Sequence, residues 1–385
     1  MKLKLCLIIT CSIILLSNTI QAQDSIYYYD LSNKPVSPNA AAIISIARKE
    51  DSGWMRMDYF TYSKKIQQVG HYSDPSFQIK NGEFTTYFAN EQLESNGSYS
   101  NNKKTGFHQN YYPNSMMSDS CKYTNDMPTG FCNAWYTDGS IKSILQMDTI
   151  GDGTGIAVGY FPTGVVSFKG RFAKGMRKSG TWTYYHENGN KASILKFPTL
   201  DEYTLNQIPE LKFDTLEGIR YDSLVEYSSA ICFNEDGIEQ AGCNFINSLA
   251  QFKSGIPGWV NHLTNKLYGL ANEYVKDNRS IIYTTYFTVT TDGKVTEALL
   301  TNKVHPVLDR TVGNIFTGST KWLPAMHNNR KIPSMHKQAI VLAPISAMDV
   351  LNNQPPKRAV STQMIAVPMG DGNRSGNPLN KNQYQ

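Results

Sequence analysis

Catalytic signatures are missing from this chain. It holds no GxSxG, no HExxH, and no cysteine beside a histidine in a setting that would mark a nucleophile. The seven histidines, at positions 71, 108, 186, 262, 305, 327 and 336, follow no metal-ligand spacing and read as solvated or turn residues. An excess of one charge is lacking too. Lys and Arg number 37 against 32 Asp and Glu, a net of +5, which argues neither for nucleic acid nor for an acidic surface. A long apolar run occurs once, from Leu5 to Leu16, with Lys2 and Lys4 before it and the small polar segment Ser17–Ala22 after it. It is too short to span a bilayer comfortably, so residues 1–22 read as a Sec signal peptide cleaved near Ala22. An uncleaved anchor is the competing reading, and only that form would touch a membrane. Losing two lysines with the signal takes the balance to +3.

Cysteine is sparse. Cys6 and Cys11 do not stand at the end of the apolar run, where a lipoprotein cysteine belongs. The other four form two close pairs, Cys121 with Cys132 and Cys232 with Cys243. An even count in an exported chain favours disulfides, each closing a loop of about a dozen residues. Zinc is the alternative, although the spacing is neither CxxC nor CxxH. The glycine-rich run Gly151–Gly155 lacks the Lys-Ser/Thr ending of a phosphate loop, and Asp148 with Asp152 makes only a thin calcium site.

What is present is a repeat. Glycine recurs at Gly82, Gly106, Gly130, Gly155 and Gly180, a period of 24 or 25 residues. Five residues on stand Tyr87, Tyr111, Trp135, Tyr160 and Tyr185; three beyond these, Asn90, Asn114, Asp138, Thr163 and Asn188. Each copy closes on Tyr99, Tyr123, Met147, Phe172 or Phe197. Aromatic and β-type residues around Asn, Asp or Gly describe a hairpin, and Asn188-Gly189 and Asp138-Gly139 suit a type I′ turn. Isolated hairpins are marginal, so successive copies must pair edge to edge, with the repeat glycine at a bulge or close approach. A worn copy runs from Trp54 to Tyr72 around Ser63, after an opening hairpin and before the insertion at 73–81. A last hairpin echo spans Cys232 to Phe245. The five aromatics and their neighbours must point to opposite faces. Either both faces are covered or the rings stack on one another, or else they form an exposed ribbon for protein, peptide or glycan.

From Ala250 the period becomes helical. Ile256, Val260, Leu263, Leu267 and Leu270 make one stripe on a helix that Pro257 opens. A strand over 281–290 turns at Asp292-Gly293 and returns over Val295–Leu300; Leu308, Val312 and Ile315 mark a second helix, and Ala339–Ala343 a last strand. The tail 347–385, rich in Asn, Pro, Gly and Gln, has too little apolar surface to order and is expected to be disordered. The fold class is therefore a mainly β hairpin-repeat sheet followed by a small α+β domain. Its divisions are 23–81, 82–197, 198–249 and 250–346, between the signal and the tail.

Two resemblances follow. Gly130–Gly139 and Gly180–Gly189 resemble the MORN-type repeat over about 54–197, which implies repeated hairpins and leaves function open. Residues 250–345 resemble the TonB C-terminal domain through Tyr286–Val289, Asp292–Val295, His305–Asp309 and Trp322–Ala325. The Pro-rich linker is missing, the anchor reads as a cleavable signal, and the tail is long. On this resemblance Trp322 and Pro324 build a core corner. The strand Lys337, Gln338, Ala339, Ile340, Val341, Leu342 and Ala343 is the open edge to which an extended peptide of a TonB-dependent-type outer-membrane transporter adds. Together these readings describe a non-enzymatic, cofactor-free envelope protein of the periplasm or outer membrane. The alternative is a secreted or surface-attached scaffold whose aromatic ribbon binds.

Overall fold

A computed structural model of the chain describes residues 24–29, 34–61, 63–199, 227–243, 248–275, 281–319, 322–342 and 360–366. The proposed signal segment and most of the tail lie outside these residues. Fifteen strands, from β1 (Ser25–Tyr29) to β15 (Ser229–Cys232), form one antiparallel sheet in strict chain order. The worn copy is β3 (Gly53–Phe60) and β4 (Ile66–Tyr72), and the regular copies begin with β5 (Lys80–Tyr87) and β6 (Leu93–Ser100).

Two turn types alternate. Within a copy, the N–H of Ser115 donates to Tyr112 O and that of Gly189 to His186 O. Gly189 has φ 89° while Asn188 keeps negative φ, so these are four-residue turns ending in a left-handed residue, not the expected type I′. The type I′ geometry appears between copies instead, where Asn101-Asn102 (φ 49° and 68°) and Asn125-Asp126 (φ 50° and 70°) both go left-handed. The repeat glycine sits in a bulge at Gly82, Gly106, Gly130 and Gly180, whereas Gly155 pairs in regular register. Asn96 pairs Gln109 and Ser98 pairs Thr105, so the single residue Gly97 faces three residues starting at Gly106, whose φ is 69°. A Cβ on Gly106 would meet nothing within 4 Å, so backbone conformation, not space, selects glycine there.

The inward face is the core. Tyr123, Met147, Phe172 and Phe197, four of the five closing residues, are buried with Leu145, Phe168, Trp182 and Leu195, and Tyr99 is half-buried. Cys121 and Cys132 are bonded within this layer, joining β8 (Met117–Thr124) to β9 (Met127–Trp135); Cys232 is bonded to Cys243. The final echo forms a turn at Asn234–Gly237 and one bridge, Phe233 to Glu239, rather than a full hairpin; Phe245 lies outside the described residues.

Beyond it, α1 (Gly255–Tyr274) and α2 (Pro306–Thr317) cover one face of a four-stranded sheet ordered β18-β17-β22-β23. These strands are β17 (Ile281–Val289), β18 (Val295–Leu300), β22 (Ser334–Leu342) and β23 (Val360–Ala366). The short ribbon β16 (Gln251–Phe252) with β19 (Trp322–Leu323) places Phe252 and Trp322 in that core; β20 (Ala325–His327) with β21 (Arg330–Ile332) makes a second ribbon. Trp259, Leu263 and Leu267 are the buried stripe of α1, whereas Ile256 is 65% exposed. The stripe read from aliphatic residues began one turn early because the tryptophan carries it. Leu308, Val312 and Ile315 are buried as the helical period requires.

Two expectations about the C-terminus are corrected. Residues 360–366 of the tail are a strand, drawn from a β-type run of Val, Ser, Thr, Gln, Met, Ile and Ala that pairs through its backbone with β22. Lys337–Leu342 accordingly is not an open edge. It lies in β22 with β17 on one side and β23 on the other; Ala343 is outside the described residues.

Candidate functional site

The aromatic pairs of the repeat divide between two surfaces. The second members, Phe88, Tyr112, Phe161 and His186, are buried. They form a row along the turn end of the sheet, tied by rungs between copies. Tyr112 Oη donates to Trp135 O and Tyr136 Oη to Tyr160 O, each at 2.7 Å. Asn90 Nδ2 donates to Pro113 O and Asn114 Nδ2 to Thr137 O, at 3.1 and 3.0 Å. Burial raises the Tyr136 hydroxyl well above its ordinary range.

The C-terminal module covers this row. Phe88 and Tyr112 pack with Tyr286, Met335 and Leu299. At the far end the turn of β20–β21, Asn328-Asn329, reaches β14 (Lys191–Phe197): Ser193 Oγ donates to Asn328 O at 3.0 Å, and Asn329 Nδ2 to Ala192 O and Phe233 O. The Arg330 guanidinium stacks over Phe161 and Tyr184. Lys331 pairs with Glu235, holding that carboxyl below its usual range. Thr137 donates to Glu297, a carboxyl that burial pushes up. One face of the small sheet is therefore spent on the repeats and the other on the helices.

The first members, Tyr87, Tyr111, Trp135, Tyr160 and Tyr185, are half-buried on the outward face of the hairpin sheet. Their cross-strand partners are Leu93, Met117, Ile141, Val166 and Lys191. Four residues nearer the repeat glycine a second outward row runs parallel. Phe107 is 64% exposed, Phe131 63% and Ile156 43%. Phe107 stands opposite Lys122, Phe131 opposite Gln146, and Ile156 opposite Arg171. Between the rows a shallow open depression of about 430 Å³ lies over Ile156, Val158, Lys169, Arg171, Thr181 and Thr183. The signal of this second row is simple: it is the residue directly after the repeat glycine, apolar in three of the five copies, with Glu83 and Thr181 in the other two.

Chemistry on the inward face is closed off. Burial pushes the Lys104 ammonium down to about 8, and its Nζ lies 4.7 Å from the Tyr123 ring centre. His108 is driven to about 4 by burial and by Lys104 beside it, so it is neutral. Asp148 is held near 2 by its side-chain hydrogen bond with Asp152 and by the backbone N–H groups of Gly151, Asp152 and Thr154, which explains that loop as a self-capped turn. Among the described residues no group of three or more His, Cys, Asp or Glu is placed to hold a metal ion, and no helix is long and apolar enough to cross a membrane. The two disulfides are compatible with an oxidising, exported compartment. No known family model matches the chain, and no curated protein does.

Proposed function

We propose that this is an exported, non-enzymatic recognition scaffold whose partner docks on the outward face of the hairpin sheet, while the C-terminal module covers the turn row. The observation that carries it is the pair of bare phenylalanines, Phe107 and Phe131, on a strand face with no second layer over it among the described residues. Large exposed apolar side chains on a regular, hydrogen-bonded surface mark contact sites, because their hydration is unfavourable unless something covers them. The finer identity of the repeats as MORN-like and of the module as TonB-like belongs to this proposal and rests on the motifs alone.

A second reading is favoured by one observation. Val360–Ala366 adds to β22 through main-chain pairing, so that edge accepts an extended segment. A peptide from an outer-membrane transporter of the TonB-dependent type would have to displace it.

Retention by the cell-envelope fraction separates the two. The outward-face reading expects retention to fall at least tenfold in Phe107→Ser with Phe131→Ser and to persist in a chain ending at residue 346. Retention that survives the double substitution and rises on removal of the tail overturns it in favour of strand addition.

A further inference from the structure

The outward face repeats its chemistry along with its backbone. Crossing the strands, an apolar side chain alternates with a long polar or cationic one: Phe107 with Lys122, Phe131 with Gln146, Ile156 with Arg171. Adjacent strands lie about 4.8 Å apart, so like residues recur every two strands, at about 10 Å. The charge is of one sign. Lys122, Lys169, Arg171 and Lys196 point outward, and among the described residues no Asp or Glu does so from β7 (Lys103–Tyr111) through β15. Asp119 faces inward with Cys121 and Tyr123; Asp126, Asp138, Asp148, Asp152 and Glu187 lie in the connections. None of those four cations forms a salt bridge among the described residues.

We propose that the ligand of this face is an anionic polysaccharide, a chain of acidic sugars lying across the strands. The inference rests on the outward-face reading above and names its ligand class. A pyranose ring is apolar on its faces and polar on its rim, so it can stack on a bare phenyl ring while its carboxylate reaches the neighbouring ammonium or guanidinium. Two linked pyranoses span about the distance between successive apolar side chains. A repeating polymer therefore meets similar chemistry at the three copies that carry Phe107, Phe131 and Ile156, and weak subsites joined along one chain add up. A folded acidic protein presents no such period, and charge alone would not require Phe107 and Phe131 to be bare.

Affinity electrophoresis of the protein in gels holding polygalacturonate, dextran or polyglutamate tests this. Polygalacturonate is expected to retard it at least tenfold more strongly than polyglutamate of equal charge, and dextran not at all. Phe107→Ser with Phe131→Ser weakens retardation tenfold or more, as does Lys122→Gln with Arg171→Gln, with circular dichroism unchanged. Oligogalacturonates bind more tightly as they lengthen from one copy to three. Equal retardation by polyglutamate that ignores the phenylalanines means charge alone and overturns the proposal, as does no retardation by polygalacturonate. If polygalacturonate fails while envelope retention still depends on the two phenylalanines, the scaffold stands and the acidic-sugar ligand falls. If both are lost, both fall.

Discussion

The hairpin sheet and the C-terminal module bury their cores by opposite routes. In the sheet each strand pairs only with its predecessor and successor, and the rungs Asn90 to Pro113 and Asn114 to Thr137 link one copy to the next. In the module Ile281 pairs with Leu342 and Gln251 with Leu323, so the core exists only when distant segments meet. The first is nearly one-dimensional, with stability summed over neighbours; the second is cooperative. A given loss of contacts should therefore stay local in one and spread in the other.

The largest effect is expected at Trp259. Its ring meets Phe252, Phe287, Phe316 and Trp322, and its Nε1 donates to Gln338 Oε1 at 3.0 Å. Trp259→Ala should cost about 3–5 kcal/mol through the cavity and the orphaned Gln338. Calorimetry should show the module's transition collapse while that of the sheet moves little. In the sheet, Trp182→Ala removes a ring stacked over Gly170 and near Phe168, Phe172 and Tyr184. Loss of amide protection there should centre on β12 (Val166–Ala173), β13 (Arg177–Tyr185) and β14. A single transition shifted equally by both substitutions would erase the contrast.

Acid sharpens it. His336 is buried, with Ser334 Oγ 3.0 Å from Nε2 and the rings of Phe287 and Trp322 beside it, and burial lowers its pKa to about 4. Because the folded value lies below the ordinary 6.5, its contribution is complete above pH 6.5 and is lost as pH falls towards 4. That loss is about 3 kcal/mol for the module. Denaturant melts of His336→Phe should remove most of that slope. An unchanged slope would place the acid sensitivity elsewhere. For the sheet, the matching perturbation is Cys121→Ala with Cys132→Ala. Opening that short loop should cost about 2–3 kcal/mol on chain entropy, measured as a lower midpoint for the sheet alone.

The same contrast decides what could be read without coordinates. The repeat period, four of the five glycine bulges, the buried closing residues from Tyr123 to Phe197 and both cysteine pairs follow from short-range grammar, and each appears where that grammar puts it. The turn type did not, since Asn188-Gly189 serves either geometry and only the pairing register chooses. Nor could the repeat alone say which aromatic of each pair is covered, because that depends on Tyr286 and Met335 arriving from far along the chain. The Asn328-Asn329 turn and the strand Val360–Ala366 were missed for the same reason: each acquires its role only from a distant strand. The outward row of Phe107, Phe131 and Ile156 was legible in principle. The tyrosine and tryptophan positions carry the stronger sequence signal, yet they are half-buried while Phe107 and Phe131 are exposed.

The smallest test probes a single rung. Asn114 Nδ2 donates to Thr137 O, and its Oδ1 accepts from Met116 N at 3.1 Å. Asn114→Ala removes both bonds from a partly exposed turn and should cost about 1 kcal/mol. Asn114→Asp keeps the acceptor and loses only the donor, so the Asp variant against the native chain isolates the link between copies, and the difference between the two variants isolates the Met116 bond within the turn. Hydrogen exchange should then quicken at Met116 in the alanine variant, while turn residues 136–140 loosen slightly in both. Thr137 also donates to Glu297 of the module, so this rung touches the boundary between the two regimes. If protection falls at β18 and β17 as well, the docking transmits strain and the nearest-neighbour description ends at that contact. If it does not, the repeats are independent up to the surface on which the module sits.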